Sequence, residues 1–226
     1  MNRRFGFHSV CVKILALCSL VVMTACSLTQ PYYEDPCNNR AYIQTVMADY
    51  ISNRFHSNAP VRMAVIPFSV PANLAGKNAE IPGLGNELAW KVQEDFIGTE
   101  VFPIVEILNR QDWPGKKAEF FTGNFGAIAA ARDAGYDLVF VGMLDTITSV
   151  DILGATTKLI ETESGTTLWF GQTTVKSNSR AINRSLDQAL LTKRNPSIIE
   201  TNQLKDGLAA CIVRGVVDDG MGAPKK

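Results

Sequence analysis

Three short apolar runs constrain this chain more than any other feature: residues 61–68 (VRMAVIPF), 101–108 (VFPIVEIL) and 137–144 (DLVFVGML). Each is rich in β-branched residues, so each reads as a buried strand. Pro103 lacks a backbone donor and marks the start or edge of the second run. The segments between them carry a different period. Leu84, Leu88, Val92 and Phe96 recur every four residues, with Glu87, Lys91, Glu94 and Asp95 opposite. That spacing predicts an amphipathic helix over 84–97. A second helix over 125–134 is built from small residues (Ala127, Ala129, Ala130, Ala131) that let it lie close to a sheet. Strand, helix, strand, helix, strand is the order of a parallel sheet with covered faces.

The pattern then changes. Residues 155–163 and 166–176 are Thr-rich and β-branched, and Ser164-Gly165 joins them as a hairpin turn. Helices are expected at both ends. Tyr42, Ile43, Val46, Met47, Tyr50 and Ile51 fall on one stripe, predicting a helix over 36–55 with Asp35 as cap and Pro36 at its first position. Ile182, Leu186, Ala189 and Leu190 mark a short helix. Leu204, Leu208, Cys211, Ile212, Gly215 and Val216 mark a last one that buries Cys211. The expected architecture is a single-domain α/β sandwich over 36–219 with a mixed sheet. Its parallel part precedes an antiparallel hairpin, and residues 220–226 form a frayed tail.

The amino terminus states a destination. Arg3, Arg4 and Lys13 precede an uncharged, mostly apolar stretch over 14–25, and small residues lead up to Cys26. Basic, apolar, small is the order of a secretory signal. About 12 residues of helix reach only ~18 Å, short of the ~30 Å hydrocarbon core. The stretch ending in Ala25-Cys26 resembles a bacterial lipobox, with Met23 where Leu is usual. The resemblance implies removal of residues 1–25 and lipid attachment (palmitate among the acyl groups) at Cys26. Residues 26–35 then form a tether. Ser27 in place of Asp points to the outer membrane, with the domain facing the periplasm. The alternative is an ordinary signal with a chance cysteine at the cut.

Removal of 1–25 leaves nineteen basic residues against 22 acids, a net charge of −3. That balance gives no electrostatic footprint for nucleic acid or an anionic membrane surface. Of the five cysteines, Cys11 and Cys18 leave with the signal, and Cys26 takes the lipid. Cys37 and Cys211 remain as an even pair in an oxidising space. They either form a disulfide, worth about 2–4 kcal/mol, that clamps the first helix to the last, or stand as separate thiols. In the second case Cys37 would lie at a helix start that lowers its pKa.

The residue inventory for catalysis is thin. His8 departs with the signal, leaving His56 at an expected helix end, where a terminal role fits better than a triad. One histidine with two such cysteines cannot make a standard zinc site. Gly83-Leu84-Gly85-Asn86-Glu87-Leu88 begins like a dinucleotide loop, but position 88 is not Gly and no strand directly precedes it, so it reads as a helix start. Glu161 and Glu163, two apart in the expected hairpin, share one face and read as solvated, whereas a glycosidase needs its acids on opposite sides of a substrate. The expectation is a non-enzyme without cofactor or metal.

Ala64-Val65-Ile66-Pro67-Phe68 followed by an amphipathic helix, then Phe102-Pro103-Ile104-Val105-Glu106-Ile107-Leu108-Asn109-Arg110, is one part of a larger likeness. The others are the alanine-rich helix running through Gly135-Tyr136-Asp137 into Leu138-Val139-Phe140-Val141-Gly142, and Glu161-Thr162-Glu163-Ser164-Gly165-Thr166-Thr167-Leu168-Trp169. In this order they resemble the superfamily that holds the TolB amino-terminal domain, CsgG, PelC and LpoB. The likeness covers about half the chain, residues 61–176. It implies an α/β domain without catalytic residues that acts through protein contacts at the outer membrane. CsgG makes its pore with long added hairpins. Here Gly135 to Asp145 runs directly to the next strand, with no such pair of segments.

Loops that follow parallel strands share one sheet edge, where partners commonly dock. Two are long, 69–83 and 109–124. The second presents Trp113, Lys116, Lys117, Phe120 and Phe121, aromatics with basic neighbours of the kind interfaces favour. The alternative is that Phe120 and Phe121 turn back into the core. Two functions fit: a component of an envelope export or assembly machine, for example as a homo-oligomeric ring, or a monomeric regulator of a cell-wall synthase. About ten residues ahead of the first helix span at most ~35 Å, which favours a machine component close to the membrane. A carrier of small apolar ligands has only location in its support.

Overall fold

In the computed structural model, the three apolar runs become the parallel part of one six-stranded sheet. The structure describes residues 37–55, 60–71, 83–109, 116–146, 151–177 and 196–218. The chain divides into two units, Met1–Asp35 and Pro36–Lys226, and every described residue belongs to the second. The strands are β1 (Cys37–Gln44), β2 (Arg62–Val65), β3 (Ile104–Ile107), β4 (Leu138–Leu144), β5 (Ile152–Glu161) and β6 (Thr167–Lys176). The helices are α1 (Met47–Arg54), α2 (Leu84–Gly98), α3 (Lys116–Thr122), α4 (Phe125–Asp133) and α5 (Pro196–Asp218).

Across the sheet the order is β1-β6-β5-β4-β2-β3. β2 pairs in parallel with β3 and β4, and the remaining neighbours are antiparallel. The mixed α/β sandwich expected from the sequence is the observed fold. Residues 182–190, the tail 220–226, the signal, the tether, His56 and Trp113 lie outside the described residues. Among the described residues, no helix is long and apolar enough to cross a membrane.

Strand alternation builds two layers. β2 sends Met63 and Val65 to one face, and Ala64, followed by Ile66, to the other. In β4, Leu138, Phe140 and Leu144 face the first layer, and Val139 and Val141 the second. The first layer is thick. α2 contributes Leu88, Val92 and Phe96, and α5 contributes Leu208, Ile212 and Val216. Phe96 meets Phe140 and Phe102 edge-on, with ring centroids 5.2 and 5.5 Å apart. Burying such a side chain contributes about 1.5–3 kcal/mol. Trp169 is also buried here, and its indole N–H donates to Thr157 Oγ1 at 3.2 Å.

The second layer is thinner. α3 and α4 supply Phe120, Ala127, Ile128 and Ala131, packed on Ala64, Val139, Val141 and Ile160. The loop expected over 109–124 therefore contains a helix. Gly123 (φ 113°) and Asn124 (φ 59°) separate α3 from α4. The Asn124 side chain makes no cap bond. Instead, Glu119 of α3 accepts from the Ala127 backbone N–H at 2.7 Å, satisfying an orphan donor in the first turn of α4 from the neighbouring helix.

One expected element is wrong. Residues 36–55 do not form a single helix: β1 pairs with β6 from Cys37↔Val175 to Gln44↔Trp169, and α1 starts only at Met47. Tertiary pairing overrides the apolar stripe, because β6 offers an open edge. The segment Asn38-Asn39-Arg40-Ala41-Tyr42-Ile43 also holds mostly weak helix formers. Cys37 thus stands on a strand, not at a helix start. It is bonded to Cys211 across 174 residues, with Cα atoms 5.4 Å apart. The disulfide clamps an edge strand, not a helix, to α5.

Two glycines fit Phe68 into the first layer. The Phe68 backbone N–H donates to the Gly85 carbonyl at 3.1 Å, and a Cβ at Gly85 would collide with the Phe68 carbonyl oxygen. A Cβ at Gly142 would enter the Phe68 ring. Gly142→Ala is expected to cost about 1–3 kcal/mol through overpacking, read from the urea denaturation midpoint. Cys37→Ala with Cys211→Ala is expected to cost about 2–4 kcal/mol, which for a domain of this size lowers the melting temperature by roughly 5–15 °C.

Candidate functional site

Among the described residues, the two helices of the second layer cover only part of its sheet face. Side chains from β1, β6 and β5 that alternate away from α5 remain on the uncovered part: Arg40 and Tyr42, then Phe170, Gln172 and Thr174, then Thr156 and Lys158. The alternation is fixed by Asn39, whose Nδ2 donates to the Cys211 carbonyl of α5 at 3.0 Å. Arg40 and Tyr42 therefore point to the other side.

These residues form a continuous strip. Phe121 stacks edge-on against Phe120 (5.6 Å), and Lys158 Nζ lies 4.4 Å from the Phe120 ring centroid and 5.2 Å from that of Phe170. Phe170 meets Tyr42 at 5.0 Å, and the Arg40 guanidinium sits 5.2 Å over the Tyr42 ring. A cation over an aromatic face contributes about 0.5–2 kcal/mol, more as water is excluded. Lys158 is the most enclosed of these cations. It donates to the Phe120 carbonyl at 2.6 Å, and burial pushes its ammonium below the ordinary lysine range. Beside it Asp145 accepts from Thr156 Oγ1 (3.0 Å) and Gln172 Nε2 (2.9 Å). Gln172 Oε1 in turn lies 3.5 Å from the Tyr42 hydroxyl. The strip is thus a held surface of rings, cations and amides. Tyr42 is 48% exposed and Phe121 66%.

The partner-binding candidates divide. Phe120 is buried in the second layer, and Phe121 projects from α3 into solvent. Lys116 and Lys117 open α3, with side chains outside the described residues, as are Trp113 and Cys26. Arg40, Tyr42, Lys158 and Phe170 were missed. The alternation Arg40-Ala41-Tyr42 and Lys158-Leu159 against Phe170-Gly171-Gln172 carried the signal, but it becomes visible only once 37–44 is read as a strand.

The acid pair also departs from expectation. Glu161 closes β5 and is buried, and Glu163 lies in the turn, exposed. Both converge on Arg54 of α1, which donates to Glu161 Oε1 at 2.7 Å and to Glu163 Oε2 at 2.5 Å. Burial opposes ionisation of Glu161. Bonds from Ser164, Arg54 and Tyr50 outweigh it and hold the carboxyl below its usual range. Burial and the bond to Glu161 push the Tyr50 hydroxyl up to about 12. This cluster fastens α1 to the hairpin. Among the described residues, no group of three or more His, Cys, Asp or Glu is placed to hold a metal ion.

No protein-family model matches this chain, and no curated protein does. Among solved structures it is similar to the PelC dodecamer from Paraburkholderia phytofirmans, with 16% identity, 80% of this chain and 96% of that chain covered, and a TM-score of 0.46. It is also similar to the LpoB C-terminal domain from Salmonella enterica (14% identity, 58% and 96% covered, TM-score 0.35). Lipoprotein GNA1162 from Neisseria meningitidis is a third (16% identity, 59% and 96% covered, TM-score 0.32).

Tyr50 gives a pH test of the cluster. Its folded pKa is raised from 10.0 to about 12, so its contribution is complete below pH 10 and is lost as pH rises from 10 to about 12. The denaturation midpoint is expected to fall more steeply above pH 10 in the parent chain than in Tyr50→Phe.

Proposed function

We propose that this protein is an outer-membrane-anchored, periplasm-facing lipoprotein that acts by protein contacts as a component of an envelope export or assembly machine, and that it is not an enzyme. The observation that carries the reading is the strip from Phe121 to Arg40. Exposed aromatic rings with a neighbouring arginine are what the energetic centres of protein interfaces are made of. The residues beneath them are held by Asp145, Gln172 and Lys158, so little rotamer entropy remains to be lost on binding.

Two further features support the compartment. The signal-like order ending at Cys26 supports export of the domain beyond the inner membrane. A disulfide between Cys37 and Cys211 suits an oxidising space. The lipid would hold the chain to the membrane, leaving the strip to a protein partner.

Two measurements test this reading. Cys26→Ser is expected to lose palmitate labelling and to leave the outer-membrane fraction. Photo-crosslinking in cells from position 42 is expected to capture envelope proteins, and Phe121→Ala with Arg40→Glu to reduce capture at least tenfold without changing the circular dichroism spectrum. Capture of a cell-wall synthase alone would move the function to regulation of that enzyme. No capture at all would overturn the reading.

A further inference from the structure

On the opposite layer of the sandwich lies a second surface of opposite character. α2 and α5 enclose an open groove of about 590 Å³, lined among others by Glu87, Trp90, Glu94, Ile97 and Asp206. Trp90 and Ile97 are two turns apart on α2 and are 59% and 50% exposed. Lys205 bridges the groove to Glu87 at 2.7 Å, and Lys91 pairs with Glu94 and Asp95 at 2.8 and 3.7 Å. Of the residues that line the groove, the three acids (Glu87, Glu94 and Asp206) outnumber the two lysines (Lys91 and Lys205), and the groove is net negative. The strip face carries Arg40, Lys158 and Lys176 against Asp145, and is net positive.

The two surfaces also match in length. Trp90 and Ile97 are seven residues apart along a helix, about 10.5 Å. The rings and cations of the strip cross from β1 over β6 to β5, two strand spacings or about 9.5 Å. We infer that the occupant of the strip is a second copy of this chain, which seats the Trp90–Ile97 ridge and its acids on the Tyr42–Phe170 rings between Arg40 and Lys158. This deepens, and rests on, the reading of the strip as a protein-contact surface. The two surfaces lie on opposite layers, so a copy that docks through one still offers the other. The contact is heterologous, and repetition makes a ring or a filament. A two-fold dimer through the strip would instead set basic against basic.

A mixing experiment with full-length chains in detergent, followed by native mass spectrometry, tests this. One variant breaks the strip (Arg40→Glu with Tyr42→Ala), and the other breaks the groove (Trp90→Ala with Asp206→Lys). The parent is expected to assemble beyond a dimer, and to fall apart as salt rises from 0.05 to 0.5 M. Each variant alone is expected to be a monomer with an unchanged circular dichroism spectrum. An equal mixture is expected to give a one-to-one heterodimer and nothing larger, because one intact strip meets one intact groove. A parent that stays monomeric at about 100 µM, variants that still assemble, or a folded mixture that gives no heterodimer would overturn the inference. In-cell crosslinking from position 42 separates the two levels. Capture of other envelope proteins by a monomeric parent leaves the strip as a contact surface and removes only self-docking. Loss of neither capture nor assembly in the strip variant removes both.

Discussion

The unequal covering of the sheet's two faces is the constraint on which the rest of this molecule depends. β4 is buried on both sides, with Leu138 and Phe140 under α2 and α5, and Val139 and Val141 under α3 and α4. Among the described residues, β6 and β1 are covered on one side only. The long helix α5 closes the first layer over Leu159, Trp169 and Val175. α3 and α4, which are short and partly built of alanine, cannot reach across the second. The part of the sheet face that the described helices leave open is made of partly exposed residues that tolerate water: Thr, Gln, Lys, Arg and two aromatic rings. The strip therefore follows from the thinness of one helical layer.

β1 is held where an edge strand would otherwise be weakest. The disulfide fixes its first residue, Cys37, to α5, and Asn39 adds a bond to the Cys211 carbonyl. Just beyond its far end α1 begins, and Arg54 of that helix ties back to Glu161 and Glu163 at the turn of the hairpin. The Arg54–Glu161 pair joins a half-exposed cation to a buried carboxylate with three donors. Losing one partner there would strand a charge, which costs more than an exposed pair contributes. Tyr42, on β1 between these two ties, is thus positioned from both ends.

The central strands and their helices were legible in the sequence because burial on both faces leaves an unbroken apolar run, and burial on one leaves a four-residue period. Leu84, Leu88, Val92 and Phe96 show this, as does 138–144. The segment 36–55 was not legible. Tyr42, Ile43, Val46 and Met47 fit a helical stripe, and what selects strand is the open edge of β6, more than 120 residues away in the chain. α3 was hidden in a segment whose Pro114, Gly115 and Gly123 read as turns, although Glu119 reaches forward to cap α4. The strip joins residues from β1, β5, β6 and α3. No local period can announce a surface whose members meet only when the hairpin has paired. The disulfide partners, by contrast, are the pair that the cysteine count leaves under the expected signal and lipid site; the count left separate thiols open, and the Cys37–Cys211 bond decides between them.

The bond from Cys37 to Cys211 also has a mechanical meaning. A pull on the chain ahead of Cys37 reaches the domain at the very residue that is covalently joined to α5. Tension then passes through sulfur into the helix that is buried against the first layer, and bypasses the ladder between β1 and β6. Without that bond, the same pull would peel the edge strand one pair at a time, from Cys37↔Val175 onward. A domain tugged from its amino-terminal side thereby loads its core in shear and keeps its outermost strand, with Tyr42 and Arg40 on it, in place.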